Sequence, residues 1–146
     1  MYKIEKVSPG VVHPLRHKVL RPHLPLEASC YQSDSGPSAI HFTLKKGDTI
    51  LSIASIYSES LEATPNKGAY RLRGIAIEPA KQRKGFWGTV LRGAMDYLKK
   101  ETDAEILWGN ARVTVSAFYE KMSFTILGEI FDIPHLDPHK IGYIEL

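Results

Sequence analysis

The stretch Gln82-Arg83-Lys84-Gly85-Phe86-Trp87-Gly88 joins the apolar run 72–77 to a helical pattern that continues to Lys100. Glycine lets a backbone come close to a ligand. The first amides of a helix have no partners within the helix, and the helix dipole favours an anion beside them. A loop of this composition between a strand and a helix therefore predicts a phosphate-binding site. The stretch is neither G-x-x-x-x-G-K-[ST] nor G-x-G-x-x-G, so the ATPase and dinucleotide fingerprints are both absent.

The whole chain has the size and composition of one globular domain. It has 146 residues, of which 43% are hydrophobic and 24% charged, so we expect residues 1–146 to form a single domain. No apolar run approaches the roughly 18 residues of a membrane span, so no membrane partner is expected. The N-terminal residues lack the apolar centre of a signal peptide, and a single cysteine fits a reducing compartment. These features favour a cytoplasmic protein.

The charge distribution favours a small anionic ligand over a nucleic acid. A net charge of +3 is too small to indicate a nucleic-acid partner. The basic residues that gather around the loop are Arg71, Arg73, Lys81, Arg83 and Lys84. His13, His17 and His23 offer only one pair at i, i+4 spacing, so no metal site is expected. Cys30 has no His or Asp motif in its own stretch, so we expect it to be non-catalytic.

Hydrophobic periodicity predicts the order β-α-loop-β-β-β-α-β-α-β-β. The predicted strands cover residues 2–8, 39–44, 49–57, 69–77, 104–108, 124–133 and 141–146. The predicted helices cover 11–20, the segment from the loop to residue 100, and 115–122, with a long loop over 21–38. A right-handed crossover makes strands 69–77 and 104–108 parallel. The expected fold is a mixed, mostly antiparallel α/β (α+β) sheet with a central βαβ unit and helices on both faces. Ligands in such sheets favour the carboxyl ends of the strands, where the loop lies.

This element order and this loop resemble the GNAT superfamily of acetyl-coenzyme-A-dependent N-acetyltransferases. The family signature [QR]-x-x-G-x-[GA] fits from Gln82 onward, with Trp87 in place of the small sixth residue and Gly88 after it. The segment 116–124, with sequence SAFYEKMSF, is similar to the family's "fYeklGF" motif, with Ser123 in place of its Gly. Upstream, Arg112 and Val115 occupy the slots of the family's Asn-x-x-Ala. The resemblance covers residues 40–146, and two motifs in the right order are more specific than either alone.

Both ends of the chain resemble an uncharacterised bacterial subgroup of the same superfamily. The similar stretches are residues 15–22 at the beginning and residues 131–139 at the end. This likeness carries no assignment of the acceptor substrate.

The resemblance implies acetyl-CoA as the cofactor. By the same resemblance, backbone amides of the loop would bind its pyrophosphate, and the main chain near Ile75 and Ile77 would pair with the pantetheine arm and face the thioester carbonyl. Asn110, two residues before Arg112, is the candidate to replace the family's upstream Asn. The implied cofactor-binding residues are Ile75, Ile77, Gln82, Arg83, Lys84, Gly85, Phe86, Trp87, Gly88 and Asn110. For Trp87 itself we expect packing in the core, because it shares a helical face with apolar residues.

Two residues are candidates for proton transfer. Tyr119, by its family position, is implied to donate a proton to the leaving thiolate, while its helical spacing alone indicates a core tyrosine. Glu78 ends a strand beside the expected thioester and is a candidate base acting through water. The alternative for Glu78 is an exposed loop carboxylate before a proline.

The acceptor is expected between the loop 21–38 and the segment 129–139. The candidate substrate-binding residues are His41, Glu129, Asp132 and His139, an acidic and imidazole set suited to a cationic amine. The alternative is a solvated turn shaped by prolines. The expected function is transfer of acetyl from acetyl-CoA to a primary amine of a small molecule or peptide, in a ternary complex. The alternatives are a non-catalytic acyl-CoA-binding module and an interaction protein. The sequence leaves the oligomeric state open, and a homodimer is one candidate, because homodimers joined through strands are common in such families.

Overall fold

A mixed sheet forms the centre of the computed structural model, which describes residues 2–82, 84–112, 116–127 and 139–146. Within these ranges the strands are β1 (Tyr2–Val7), β2 (Ile40–Lys46), β3 (Thr49–Ser58), β4 (Ala69–Ile77), β5 (Ile106–Arg112), β6 (Thr125–Ile126) and β7 (His139–Glu145). The helices are α1 (Pro9–Leu20), α2 (Phe86–Glu101) and α3 (Ser116–Lys121). The strands lie in the order β1-β2-β3-β4-β5-β7-β6 across the sheet. In this part of the chain, none of the helices combines the length and apolar character that crossing a membrane requires.

The strand pairing confirms the predicted architecture. β4 and β5, which flank α2 in the chain, are parallel. The other paired strands in the described ranges are antiparallel. The mixed sheet with a central βαβ unit is therefore as predicted.

The two long helices cover opposite faces of the sheet. In α2, Val90, Leu91, Ala94 and Leu98 recur at helical spacing and are fully buried against one face. On the other face, residues of α1 pack with Ile53 of β3 and Ala76 of β4. α1 begins at Pro9, two residues before the predicted start, because proline is favourable at the first position of a helix.

Strand β5 and the long loop 21–38 also differ from the sequence prediction. β5 runs over 106–112 instead of 104–108, because its second half pairs with β7 and so gains backbone partners that local composition does not show. The long loop 21–38 contains two short 3-10 turns, Leu26–Ser29 and Gln32–Ser35. Much of the predicted strand 124–133 lies outside the described residues.

The parting of β4 and β5 is the feature that positions the site. The two strands pair only from Ala69 to Leu72 with Ile106 to Gly109, and β4 then continues to Ile77 without β5. Gly74, with φ of +63°, lies where the register between β3 and β4 shifts. Leu72 and Ile75 both pack in the core under α2 although they are three residues apart. The register shift therefore moves the alternation of β4 side chains between the two faces of the sheet by one residue. Two parallel strands that part at their carboxyl ends leave a gap in the sheet.

Candidate active site

A cavity of about 480 Å³ fills the gap between β4 and β5, and we refer to it as the β4–β5 cleft. Residues 71–77 of β4 form one wall. The other described walls come from Leu20, Arg21, Tyr31, Trp87, Asn110, Tyr119 and His139. Six of the residues singled out from the sequence therefore meet here: Ile75, Ile77, Trp87, Asn110, Tyr119 and His139. Loop 21–38 contributes part of the wall through Arg21 and Tyr31, and its predicted role on the acceptor side stays a prediction.

The loop before α2 has the backbone of a helix start. Gly85 is the residue before the helix and has φ of +80°, a left-handed conformation that favours glycine. A Cβ at this position would meet no atom within 4 Å, so the backbone faces open space. Gln82 and Lys84 are exposed beside it, and Phe86 is buried beneath the first turn. Arg83 lies outside the described residues.

Trp87 lies between the core and the cleft. Its ring centre is 4.9 Å from that of Tyr119 in an edge-on contact, and 6.1 Å from that of Phe118. It packs against the core under α2 and also lines the cleft. The expectation of core packing alone is thus incomplete, because the indole reaches from one environment into the other.

Tyr119 is a core residue whose ring also lines the cleft. It is 4% exposed and packs edge-on against Phe124, with ring centres 5.3 Å apart. Burial raises the pKa of its phenol well above the ordinary value, so the hydroxyl stays protonated. Among the described residues, none is a hydrogen-bond partner of this hydroxyl. The two readings of Tyr119 from the sequence, packing and proton donor, are compatible in this geometry.

Asn110 and His139 lie on neighbouring strands at the same side of the cleft. Asn110 follows Gly109, the last residue of β5 that pairs with β4. His139 begins β7, pairs in register with Arg112, and is 4% exposed. Their positions in the register place both side chains on the face of the sheet that α1 covers.

Two other candidate residues lie away from the cleft. Glu78 pairs with Lys18, whose Nζ is 2.8 Å from the carboxylate, and it does not line the cavity. His41 is 2% exposed, with Nδ1 2.7 Å from Ser55 Oγ and Nε2 3.1 Å from the Asp34 carbonyl oxygen. Burial lowers its pKa. Glu129 and Asp132 lie outside the described residues.

A buried ion pair beneath the cleft is a feature that sequence reasoning missed. Arg16 is fully buried, and its guanidinium donates to Asp34 at 2.7 and 3.3 Å and to the Ser29 carbonyl at 2.7 Å. Tyr57 also donates to Asp34. Burial raises the pKa of Asp34, but the hydrogen bonds from Arg16 and Tyr57 outweigh it and bring the pKa to about 2. The signal in the sequence is an arginine on the apolar face of α1, directly after Leu15.

Cys30 has a histidine closer to it than its sequence neighbours suggested. Its Sγ is 3.4 Å from Nδ1 of His13, and Nε2 of His13 is 2.8 Å from Asp34. α1 brings His13 back over the loop, so Cys30 has a histidine neighbour in space that its own stretch of sequence does not show, and its non-catalytic role stays a prediction. Within the described ranges, no group of three or more metal-ligand side chains is arranged to hold a metal ion.

The basic residues near the loop divide into two groups. Lys81 and Lys84 belong to the segment between β4 and α2. Arg71 and Arg73 lie earlier on β4, two residues apart and hence on one face, and they line the cleft with Arg21. Arg71 and Arg73 therefore belong to the cleft wall, whereas Lys81 and Lys84 follow the end of β4 and do not line the cleft.

Comparison with known proteins gives one close relative and many similar folds. YitI of Bacillus subtilis (strain 168), an uncharacterised N-acetyltransferase, is 32% identical over 144 residues, covering 98% of this chain and 95% of its own length. FeeM, an N-acyl amino acid synthase from uncultured soil microbes, superposes with a TM-score of 0.80 at 12% identity, covering 99% of this chain and 91% of its own. The ribosomal-protein-S18-alanine N-acetyltransferase of Escherichia coli superposes with a TM-score of 0.73 at 17% identity, covering 99% and 93%. No protein-family model matches the chain.

Proposed function

The chain belongs to the GNAT superfamily of N-acetyltransferases, and on that basis we propose that it moves acetyl from acetyl-CoA to a primary amine. The donor class is acyl-CoA, as in the acyl-CoA N-acyltransferases with this fold. The choice of acetyl as the acyl group and direct attack in a ternary complex are parts of the proposal. The proposal rests on the β4–β5 cleft. The start of α2 and Tyr119 lie on one side of this cleft, and the end of α1 lies on the other.

The donor would bind with its phosphates at the start of α2. The amides of Phe86, Trp87 and Gly88 have no partners within the helix and lie at its positive end. The left-handed Gly85 removes a side chain from the approach to them. From there the pantetheine arm would run along the free edge of β4 at Ile75 and Ile77, which lacks a strand neighbour beyond Leu72 in the described structure.

The reaction needs an uncharged amine and a proton for the leaving sulfur. The amine nitrogen attacks the thioester carbonyl, a tetrahedral oxyanion forms, and the carbon–sulfur bond then breaks. The main-chain amides in the part of β4 that follows Leu72, where the strand no longer pairs with β5, are suited to stabilise the oxyanion. The nitrogen loses one proton and the thiolate gains one, so the products are the amide and free CoA thiol.

Tyr119 is our candidate for the proton given to the thiolate. Its hydroxyl is protonated at neutral pH, since burial raises the pKa, and it lines the cleft. Glu78 is the less favourable of the two predicted proton-transfer residues, because Lys18 engages its carboxylate outside the cavity. A proton from the amine can leave through water in the cleft.

A steady-state assay tests this proposal. Acetyl-CoA is mixed with amines, amino acids and short peptides, and CoA thiol release is measured with each concentration varied in turn. A ternary complex gives intersecting double-reciprocal lines and thiol release that depends on the amine. Binding of CoA without amine-dependent thiol release would instead support the alternative of a non-catalytic acyl-CoA-binding module. Trp87 at the cleft is the feature that favours this alternative, because the family has a small residue at that position.

A further inference from the structure

The side of the β4–β5 cleft nearest α1 is cationic. Arg21, Arg71 and Arg73 all line it. Arg73 lies over the ring of Tyr31 with its guanidinium carbon 4.0 Å from the ring centre, and Arg21 lies 5.2 Å from the same centre. Among the described lining residues, none carries a carboxylate. The structure therefore places three guanidinium groups where the acceptor is expected, and no counter-ion in the described wall.

Within the described residues, Arg71 has a single ion-pair partner and Arg73 has none. Arg71 donates to Glu59 at 3.2 Å, but this carboxylate is 44% exposed, and Nε of Arg71 is buried with no hydrogen-bond partner in the described chain. Arg73 forms no ion pair with any residue in the described ranges. Burial, and then the charge of Arg71, lower the pKa of Arg73. A partly buried cation without a counter-ion is costly, so this arrangement fits a site whose anion arrives with a ligand.

The phosphates of the donor do not account for these arginines. Arg73 precedes Ile77, the end of β4, by four residues, which is ~13 Å along an extended strand. The loop and the start of α2 lie beyond that end. Arg73 also contacts Tyr31, on the α1 side, whereas α2 covers the opposite face. An anion that met Arg71 and Arg73 would therefore come from the acceptor and not from the donor phosphates.

We propose that the acceptor is a small amine with a carboxylate beside its amino group, as in a free amino acid, and that Arg71 and Arg73 bind this carboxylate. The inference rests on the proposed function, because it names the acceptor of the same transfer. The planar guanidinium fork matches a carboxylate with two parallel hydrogen bonds. The cavity of about 480 Å³ is of small-molecule size and must also admit the end of the donor, which favours a small acceptor over a folded protein.

The same charges assist the chemistry. A cation close to an ammonium group disfavours the charged form and lowers its pKa. Arg71 and Arg73 beside the acceptor therefore raise the fraction of neutral amine. This reduces the need for a strong base, in keeping with the position of Glu78 outside the cavity. The predicted roles of Glu129 and Asp132 concern the amine end of the acceptor and are compatible with a carboxylate at the other end.

The test compares matched pairs of acceptors. Each amino acid is assayed beside the amine that remains when its carboxylate is removed, and beside the aminophosphonate with the same side chain. We expect kcat/KM to be at least ~30-fold higher for the amino acid than for the matched amine without the carboxylate, which is the scale of a desolvated charge pair. Arg73→Gln should abolish most of this preference, and Arg73→Lys should retain part of it. Lys99→Gln removes one charge from the exposed end of α2 and should leave the preference intact.

A binding measurement separates this inference from the reaction itself. The CoA-saturated protein is titrated calorimetrically with the N-acetyl amino acid and with the corresponding N-acetyl amine. Tighter binding of the carboxylate, lost in Arg73→Gln, supports the inference even if no turnover is seen, in which case only the proposed function fails. Equal binding of both compounds, equal kcat/KM across each pair, or a preference confined to the phosphonates would overturn the inference.

Discussion

At the scale of single residues, two positions in the cleft wall can be tested by substitutions that add or remove one small group. Tyr119 brings a hydroxyl to the cleft wall, and Gly74 lacks the Cβ that would meet a buried guanidinium. Each can be probed by adding or removing a single small group. They therefore give the sharpest residue-level tests.

Tyr119→Phe removes only the hydroxyl and keeps the edge-on packing with Trp87 and Phe124. General acid catalysis typically contributes about 10²–10⁴-fold, so kcat should fall on that scale while CoA affinity changes little. Because the phenol pKa is raised by burial, the wild type should show no loss of this acid form up to about pH 10. Full activity of the variant, under conditions where chemistry limits the rate, would leave Tyr119 a packing residue only.

Gly74→Ala should destabilise the fold by about 2–4 kcal/mol. The residue has φ of +63°, which costs a side chain roughly 1–2 kcal/mol, and a Cβ there would lie 2.7 Å from Nε of Arg16. Urea denaturation measures the change. Gly10→Ala is the control, because a Cβ at that helical position meets no atom within 4 Å and should leave stability unchanged or raise it by up to about 1 kcal/mol. Equal effects of the two substitutions would contradict the close approach of Arg16 to β4.

At the scale of elements, a polar network fixes α1 and the loop 21–38 on the sheet. Arg16 of α1 joins Asp34 of the loop, and Tyr57 of β3 donates to the same carboxylate. Breaking a buried pair by removing one charge typically costs about 3–5 kcal/mol. Arg21 and Tyr31, which line the cleft, therefore lie in the part of the chain that this ion pair holds on the sheet.

The network gives a predictable dependence of stability on pH. The folded pKa of Asp34, about 2, is below the ordinary aspartate value of 3.8, so its ionisation stabilises the fold above pH 3.8 and this contribution is lost as pH falls toward 2. The shift corresponds to about 2 kcal/mol at neutral pH, of which roughly half is lost by pH 3. The stability gap between wild type and Asp34→Asn should therefore narrow on going from pH 6 to pH 3.

Urea titrations of both proteins at the two pH values measure this gap. Asp96→Asn is the matched control, since Asp96 is exposed on α2. A gap between wild type and Asp34→Asn that is the same at pH 6 and pH 3 would mean that Asp34 is not held ionised by Arg16.

The helix start before α2 gives a second test at this scale. Gly85→Glu places a negative charge at the phosphates, whereas Gly85→Ala carries the same strain of a positive φ without the charge. We expect CoA affinity by calorimetry to fall far more for Glu than for Ala, and wild-type affinity to weaken with salt. Equal affinities in all three proteins would move the phosphates away from this loop.

At the scale of the whole molecule, the sequence predicted the fold better than the site. The strand and helix periods and two spaced motifs were enough for the element order and for the parallel pair β4 and β5. The residues of the cleft wall were harder to predict from the sequence, because membership of the wall depends on which face of the sheet each strand residue occupies. Arg71 and Arg73 are near the loop in sequence, yet strand alternation and the shift at Gly74 direct them toward α1. Likewise, the pairing of Arg16 with Asp34 joins residues that no local pattern connects.

In the proposed reaction, donor and acceptor meet in the β4–β5 cleft, one from each face of the sheet. A crystal structure of the chain with bound acetyl-CoA tests it most directly. We predict phosphates at the amides of 86–88, the pantetheine arm along Ile75 and Ile77, and the thioester sulfur within hydrogen-bond reach of the Tyr119 hydroxyl. The acetyl group should then point toward Arg73. A cofactor bound outside the gap, or one whose sulfur lies on the far side of Trp87 from Tyr119, would contradict the account.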